Sequence, residues 1–183
     1  APHAREMASK AHNLGHEVLI HLPMAPLSKQ PLEKDTLRPD MSSDEIERII
    51  RDAYGKVPYA VGLNNHMGSA FTGDISLCRT LAGMLVGHGL AVLDSVTRPD
   101  PQLMPAAVEA GLVGLARDVF LDTRRDTAAI LVALDTAAAR ARAKGMAVAI
   151  GHPHPETLRA LRQWQDREGV AVVPLRRIIW KLA

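Results

Sequence analysis

The stretch AVGLNNHMGS (residues 60–69) places a polar sequence directly after a short apolar run. The apolar residues 60–63 predict a buried β-strand, because runs of this length next to turn-forming residues are typical of strands in parallel sheets. Asn64, Asn65 and His66 follow the strand. They predict either a ligand site at the strand end or a tight turn, since asparagine tolerates a left-handed backbone.

The same arrangement, in which an apolar run leads to a histidine or an aspartate, recurs along the chain. His21, Asp94, Asp122 and His152 lie at or just after the ends of predicted strands 17–22, 90–93, 119–121 and 146–150, and a sixth strand is predicted at 170–173. The carboxyl ends of parallel strands share one edge, where α/β proteins bind ligands. We therefore expect these side chains to form a site.

Predicted helices alternate with the strands, which favours an α/β fold with a parallel sheet covered by helices. The 183 residues predict a single domain, with room for about six strand–helix units. Six units form either an open doubly wound sheet or an incomplete (β/α) barrel. A barrel lets the polar strand ends converge, whereas an open sheet spreads them over roughly 25 Å. The incomplete barrel is therefore favoured.

Local signals place two helices and one long loop. A capping side chain and early acidic residues at 42–45 predict a helix that runs to about residue 53. The Ala- and Arg-rich residues 125–143 predict the longest helix, and Asp122 is either its N-cap or part of the site. Residues 23–41 contain four prolines and predict an irregular loop.

Composition argues against several classes of function. The chain has 22 Lys and Arg against 20 Asp and Glu, a balance too even for a nucleic-acid partner. Its one cysteine, Cys78, rules out a disulfide framework and a thiolate zinc site. No apolar run approaches the roughly 18–20 residues of a membrane span. A nucleotide-binding open sheet is disfavoured because no glycine-rich phosphate loop follows a strand.

Aromatic residues make up only 3% of the chain, and Tyr59 and Phe71 alone flank a candidate loop. This scarcity argues against a glycan groove paved with aromatic rings. We expect a bound sugar to be held mainly by polar contacts at the strand ends.

Histidine and aspartate side chains that converge without cysteine favour Zn²⁺ or another divalent metal. Such an ion would lower the pKa of a bound water and polarise a carbonyl group. A neighbouring histidine or aspartate could then transfer protons. The HExxH motif is absent, so this prediction depends on the placement of the residues at strand ends.

Several segments occur in the order and spacing of one known family. They are GHEVLIHLPMAP (15–26), VGLNNHMGSAFT (61–72), GLAVLDSVT (89–97) and AVAIGHPHPETLRAL (147–161), with PLRRI (174–178) near the end. Together they resemble the divergent polysaccharide deacetylases, a bacterial envelope branch of the NodB-like carbohydrate esterases. The resemblance implies a deformed, incomplete (β/α) barrel, a metal-dependent deacetylase ancestry and a periplasmic or cell-envelope location.

The resemblance also implies roles for individual residues. The superfamily's first motif supplies two aspartates, and since the chain begins after that motif, its first strand is expected to be missing. The second motif supplies two histidines four apart, which makes His21 a metal ligand and leaves Ala25 in the second position, where the divergent branch often has glutamate. His66 is expected to replace the missing ligand. Asp94 corresponds to an aspartate that orients a catalytic group, and His152 to a general acid.

Other side chains complete the expected site or have simpler explanations. Asn64, Asn65, Ser95 and Asp122 are expected to bind the substrate. His21 has an alternative interpretation as a hydrogen-bonded core histidine, and Asp94 as the cap of a turn. His154 is expected to be exposed.

Two hypotheses follow. The first is a metal-dependent, deacetylase-like hydrolase that acts on a cell-envelope polysaccharide or a related glycan. The second is a non-catalytic envelope module that binds a glycan or a protein and whose metal site is degraded. Ala25 and the absent aspartate pair favour the second.

Overall fold

The computed structural model describes residues 3–164 and 169–182. Within these ranges the helices are α1 (Ala4–Asn13), α2 (Ser43–Lys56), α3 (Ile75–Leu85), α4 (Leu103–Glu109), α5 (Thr127–Lys144), α6 (Pro155–Gln163) and α7 (Leu175–Leu182). The strands are β1 (Val18–Met24), β2 (Ala60–Met67), β3 (Ala91–Asp94), β4 (Gly114–Ala116), β5 (Val119–Phe120) and β6 (Ala149–Ile150). Short 3₁₀ turns lie at Phe71–Gly73 and Val86–His88.

The chain forms two compact units, residues 1–115 with 174–183 and residues 116–173. A four-stranded sheet has the order β1-β2-β3-β4, and its strands β1, β2 and β3, which pair in parallel, lie in the first unit. The second unit holds the parallel pair β5-β6. The α/β class with parallel strands is confirmed, and the strands lie in two hydrogen-bonded sheets. A single domain stays a prediction.

The core of the first unit is built from apolar side chains on the sheet and on α2 and α3. Ile46, Ile49 and Ile50 repeat at helical spacing along α2 and are at most 2% exposed. Burying such a side chain contributes about 1.5–3 kcal/mol. At the start of this helix, Ser42 and Glu45 form a capping box, as the early acidic residues predicted.

The proline-rich segment after β1 is an irregular loop that Leu37 attaches to the sheet. The Leu37 backbone N–H donates to the Pro23 carbonyl, and the Leu37 carbonyl accepts from the Ala25 N–H, both at 2.8 Å. The Leu37 side chain is fully buried in the core. This anchor holds the loop next to the carboxyl end of β1.

A long-range contact within the first unit joins its two chain segments. The Glu17 carboxylate accepts from the Arg176 side-chain Nε at 2.6 Å and from the Arg176 backbone N–H at 3.1 Å. The Glu17 side chain is only 8% exposed. Glu17, directly before β1, thus accepts from a backbone N–H in the first turn of α7. The N–H groups of a helix's first turn have no carbonyl partner within the helix.

The second unit packs α5 and α6 around its own small core. Ile130 and Leu134 of α5 lie against Val119 of β5 and against Ala160 of α6. Trp164 is buried at the end of α6, and its indole N–H donates to the Asp135 carboxylate at 2.9 Å. A buried indole N–H is satisfied in this way.

The number and the bounds of the strands differ from the predictions. β2 continues to Met67, so the asparagines and His66 belong to the strand and the tight-turn interpretation is wrong. β4 was not predicted. The predicted strand 170–173 is wrong, because these residues have no strand conformation and Val172 is 85% exposed.

Asp122 is not the N-cap of the long helix. The helix begins at Thr127, and its N-cap is Asp126, whose carboxylate accepts from the Ala129 N–H at 2.8 Å. The sequence also predicts a helix over residues 156–168, and the end of this prediction, residues 165–168, lies outside the described residues. In the described ranges, no helix combines the length and the apolar character needed to cross a membrane.

Candidate functional site

The buried carboxylate of Asp122 is the centre of a polar cluster in the second unit. Asp122 follows β5, and its side chain has no exposed surface. Its Oδ2 accepts from the His152 backbone N–H at 2.5 Å and from the Thr157 hydroxyl at 2.9 Å. Its Oδ1 lies 3.1 Å from His152 Nδ1. The loop after β6 and the first turn of α6 therefore converge on one carboxylate.

These contacts keep Asp122 ionised. Burial acts to raise the pKa of the Asp122 carboxyl, but hydrogen bonds from the His152 backbone and ring and from the Thr157 hydroxyl outweigh it. The net result is a pKa below the ordinary aspartate value. An ionised carboxylate only accepts hydrogen bonds, so His152 carries a proton on Nδ1.

His152 is positioned to present its other ring nitrogen. With Nδ1 bound to Asp122, Nε2 is the atom that can exchange a proton or bind a ligand. The His152 side chain is 51% exposed, in contrast to the buried Asp122 side chain. The Phe120 ring lies beside it, with ring centroids 5.5 Å apart, and the Arg117 guanidinium lies 5.1 Å from the Phe120 centroid on that ring.

His154 joins this cluster, so the predicted exposure of this side chain is wrong. It is half-buried, and its ring centroid lies 5.4 Å from that of His152. Among the described residues, Asp122, His152 and His154 each offer one ligand atom, and these atoms lie within 4.8 Å of one another. The HPH spacing was the available signal, since it separates two histidines by one proline.

A second polar cluster lies at the carboxyl end of the four-stranded sheet in the first unit. His21 on β1 is paired in register with Asn64 on β2. The His21 ring contacts both neighbours on β2: Nδ1 meets Asn64 Oδ1, and Nε2 lies 3.1 Å from His66 Nδ1. His21 is exposed, so its interpretation as a core histidine is wrong.

Asn65 and Ser95 lie beneath this surface and connect β2 to the end of β3. Asn65 is 1% exposed and Ser95 is 7% exposed. The Asn65 side-chain oxygen accepts from the Ser95 N–H at 2.7 Å, and its amide nitrogen donates to the Met67 carbonyl at 2.6 Å. The Ser95 hydroxyl donates to the Asn65 carbonyl at 2.7 Å. These contacts hold the strand ends together.

The fully buried Asp94 carboxylate is bonded to backbone groups. Oδ1 accepts from the Val96 N–H at 2.8 Å, and Oδ2 accepts from the Met104 N–H at 3.3 Å, in the first turn of α4. The capping alternative for Asp94 agrees with these bonds. The carboxylate that orients His152 is that of Asp122, in the other unit.

The structure thus distributes the predicted site residues over two clusters. The first unit contains His21, Asn64, Asn65, His66, Asp94 and Ser95, and the second contains Asp122 and His152. Their predicted roles in metal binding, catalysis and substrate binding stay predictions. Phe120 lies beside the ring of His152. Phe71, which flanks a candidate loop in the sequence, is fully buried in the core.

Comparisons with known proteins agree on one family. The uncharacterized protein YibQ of Escherichia coli (strain K12) is 58% identical over 163 residues, which cover 89% of this chain and 51% of that protein. An uncharacterized protein of Haemophilus influenzae (strain Rd) is 37% identical over 162 residues, which cover 88% of this chain and 58% of that protein. The chain therefore spans little more than half the length of these curated relatives.

A solved structure shows the same fold. The crystal structure of an uncharacterized protein from Agrobacterium tumefaciens C58 superposes with a TM-score of 0.91, at 22% identity, over 98% of this chain and 75% of that chain. The family model described as "Divergent polysaccharide deacetylase" matches residues 1–179. The chain belongs to the divergent polysaccharide deacetylase family.

Proposed function

We propose that this protein is a deacetylase-like hydrolase that removes acetyl groups from a polysaccharide or related glycan of the cell envelope. The observation that carries the proposal is the buried Asp122 carboxylate joined to the half-exposed ring of His152. Membership of the family supports the substrate class and a periplasmic or cell-envelope location.

The Asp122–His152 pair supports proton transfer during hydrolysis. The ionised Asp122 holds the Nδ1 proton of His152 and stabilises the imidazolium that forms when Nε2 takes up a second proton. As water adds to the acetyl carbon and loses a proton to solvent, the protonated Nε2 would donate its proton to the sugar nitrogen or oxygen that leaves that carbon. This is the general-acid role predicted for His152, with Asp122 as the orienting carboxylate.

The chemistry of the second unit's donors fits a divalent metal. Two imidazole nitrogens and one carboxylate oxygen are a donor set of catalytic zinc sites, so Asp122, His152 and His154 would hold the ion. When bound, it would supply a Lewis acid for the acetyl carbonyl. An ion held by both Asp122 and His152 would replace the hydrogen bond between Nδ1 and Oδ1, so metal binding and the proton-transfer role of this pair are alternatives.

Metal analysis separates these two roles. If the cluster holds zinc, the purified wild-type protein contains the metal and the His154→Ala protein loses it, whereas the exposed His16→Ala control keeps it. If His152 acts as a proton carrier alone, all three proteins contain the same amount of metal.

Activity tests the hydrolase itself. Acetate release from N-acetylated and O-acetylated glycan oligomers is measured with and without added Zn²⁺ for the wild type, Asp122→Asn, His152→Ala and His16→Ala. We expect the first two variants to lose at least about 100-fold in rate, the scale of general acid–base catalysis, and His16→Ala to match the wild type. A wild type that releases no acetate under any of these conditions contradicts the proposal.

The surroundings of His21 and the side chain at position 25 favour a second function, that of a non-catalytic module that binds a glycan or a protein. Both ring nitrogens of His21, the predicted metal ligand, already contact neighbouring side chains. Ala25, in the second ligand position of the motif, is buried, and its side chain has no atom that can bind a metal ion. A protein that retains the glycan oligomers on an affinity matrix but releases no acetate would support this second function.

A further inference from the structure

Helix α7 of the first unit has two chemically different sides. Ile178 and Ile179 lie on one side and are half-buried. Arg177, Trp180 and Lys181 are spaced three and four positions apart, so they share the opposite side of the helix. All three are exposed, and Trp180 is 71% exposed. The outward side of α7 therefore combines a large aromatic ring with two cationic side chains.

This outward side is positively charged. The helix has three basic side chains and no acidic one. Arg176 is paired with the Glu17 carboxylate at 2.6 Å. In the described part of the chain, no ion pair is found for the side chains of Arg177 and Lys181. Their charge is therefore available to a negatively charged partner.

Trp180 differs from the second tryptophan of the chain. Trp164 is 7% exposed, and its indole N–H donates to the Asp135 carboxylate at 2.9 Å. Trp180 instead leaves most of its apolar ring in water, where a partner that covers it gains free energy. Tryptophan beside lysine and arginine is typical of helices that lie in the headgroup region of a bilayer.

The size of this surface favours a bilayer over a protein partner. Each partner of a stable protein pair buries roughly 800 Å² in an interface of matching shape. Three side chains on an eight-residue helix offer much less. A bilayer needs no matching shape, and it binds a surface helix through apolar area together with the attraction of anionic lipids for basic residues.

We propose that the outward side of α7 binds the surface of an anionic phospholipid bilayer. Arg177 and Lys181 contact the lipid phosphates, and the Trp180 ring enters the headgroup region. The inference goes beyond the proposed function, because no residue of either polar cluster takes part.

Vesicle co-sedimentation tests the binding and its charge dependence. At low salt, we expect the protein to pellet with vesicles of phosphatidylcholine mixed with phosphatidylglycerol and to stay in solution with phosphatidylcholine alone. Sodium chloride at about 0.5 M should release the protein, because it screens charges beyond a few ångströms. Equal binding to both kinds of vesicle, or binding to neither, contradicts the proposal.

Paired charge variants test whether α7 is the surface that binds. Each basic residue near an anionic bilayer contributes roughly fivefold in affinity, so Arg177→Ala combined with Lys181→Ala should weaken binding about 25-fold. The matched control is Arg51→Ala combined with Lys56→Ala, which removes the same charge from exposed positions on α2. The control should bind like the wild type. An equal loss in the control would assign binding to net charge and overturn the proposal.

Quenching by brominated phospholipids tests the insertion of the ring. We expect Trp180 to be quenched, whereas the buried Trp164 serves as the internal reference. Trp180→Ala should therefore lose the quenching and bind at least about tenfold more weakly, while Trp180→Phe keeps an apolar ring and most of the affinity. Unquenched fluorescence of the wild type on the vesicles contradicts the insertion.

Light scattering without lipid tests whether a second copy of the chain covers this surface instead. We expect the wild type and Trp180→Ala to have the same mass at every protein concentration. A wild-type dimer that Trp180→Ala dissociates would overturn the proposal. Since none of these experiments measures acetate release, failure here is distinguishable from failure of the hydrolase proposal.

Discussion

The His152 backbone and its own ring bind the same carboxylate, that of Asp122, through different oxygens. The backbone N–H donates to Oδ2 at 2.5 Å, while ring Nδ1 lies 3.1 Å from Oδ1. The loop conformation and the ring orientation of His152 therefore depend on one buried anion. Removing that anion should affect both folding and proton transfer.

The pH dependence of stability should report Asp122. Its pKa is lower in the folded protein than the ordinary value of 3.8, because its hydrogen bonds outweigh the effect of burial. A lowered carboxyl pKa adds stability that is fully present above the unfolded-state pKa and is lost as pH falls toward the folded-state pKa. Urea unfolding between pH 7 and pH 3 should therefore show a smaller loss of stability in Asp122→Asn than in the wild type. Parallel curves would contradict the prediction.

Thr157 should stabilise the Asp122 carboxylate through its hydroxyl. The side chain is 3% exposed, and its hydroxyl donates to Oδ2 at 2.9 Å. Thr157→Val removes the donor at nearly constant volume and should lower the free energy of unfolding by about 1.5–3 kcal/mol, as expected for a hydrogen bond to a charged group. Thr157→Ser, which keeps the donor, is the control in the same urea experiment. Equal losses in both variants would assign the effect to packing.

The neighbouring asparagines should differ sharply when each is replaced by alanine. Asn65 is buried and bonds to the Ser95 N–H and the Met67 carbonyl, so Asn65→Ala removes two hydrogen bonds from the strand ends and should reduce stability by about 1–3 kcal/mol. The half-buried Asn64 lies on the His21 side of the strand, and Asn64→Ala should reduce stability by less. Thermal unfolding measures both. Equal losses would show that Asn65 is not the structural member of the pair.

Cys78 should react with thiol reagents only after unfolding. It is fully buried, and burial, assisted by the charges of Asp94 and Asp74, raises its pKa to about 12. The thiolate is the reactive form and is scarce at neutral pH. Labelling with a maleimide should therefore proceed at the rate of global opening and accelerate with urea as unfolding does. Rapid labelling of the native protein would contradict the buried position.

Helices were predicted better than strand ends, and the difference has a physical cause. The capping box at Ser42 and Glu45 is a local signal, so α2 could be placed from the sequence alone. β2 extends through Asn64 and Asn65 because their side chains find partners across the sheet. Asparagine is otherwise depleted in strands, and its neighbours across the sheet could not be read from the sequence.

The contacts within the candidate site could not be read from the sequence either. Their positions at strand ends identified His152 and Asp122 separately. Their pairing is a contact between residues 30 positions apart in the sequence, which only the fold brings together. His154 was missed because its approach to the Asp122–His152 pair depends on the loop before α6. The strand predicted at 170–173 is absent because apolar residues alone do not provide a neighbouring strand to pair with.

The Glu17–Arg176 contact has a consequence for synthesis. Residues 174–183 belong to the first unit, although the whole second unit lies between them and residue 115. At about 5–20 residues per second on a ribosome, the helix segment that covers the Glu17 carboxylate is synthesised roughly 8–30 s after β1. The second unit, which is continuous in sequence, can fold during that interval. The first unit therefore reaches its final form after the second, although most of its residues are synthesised before it.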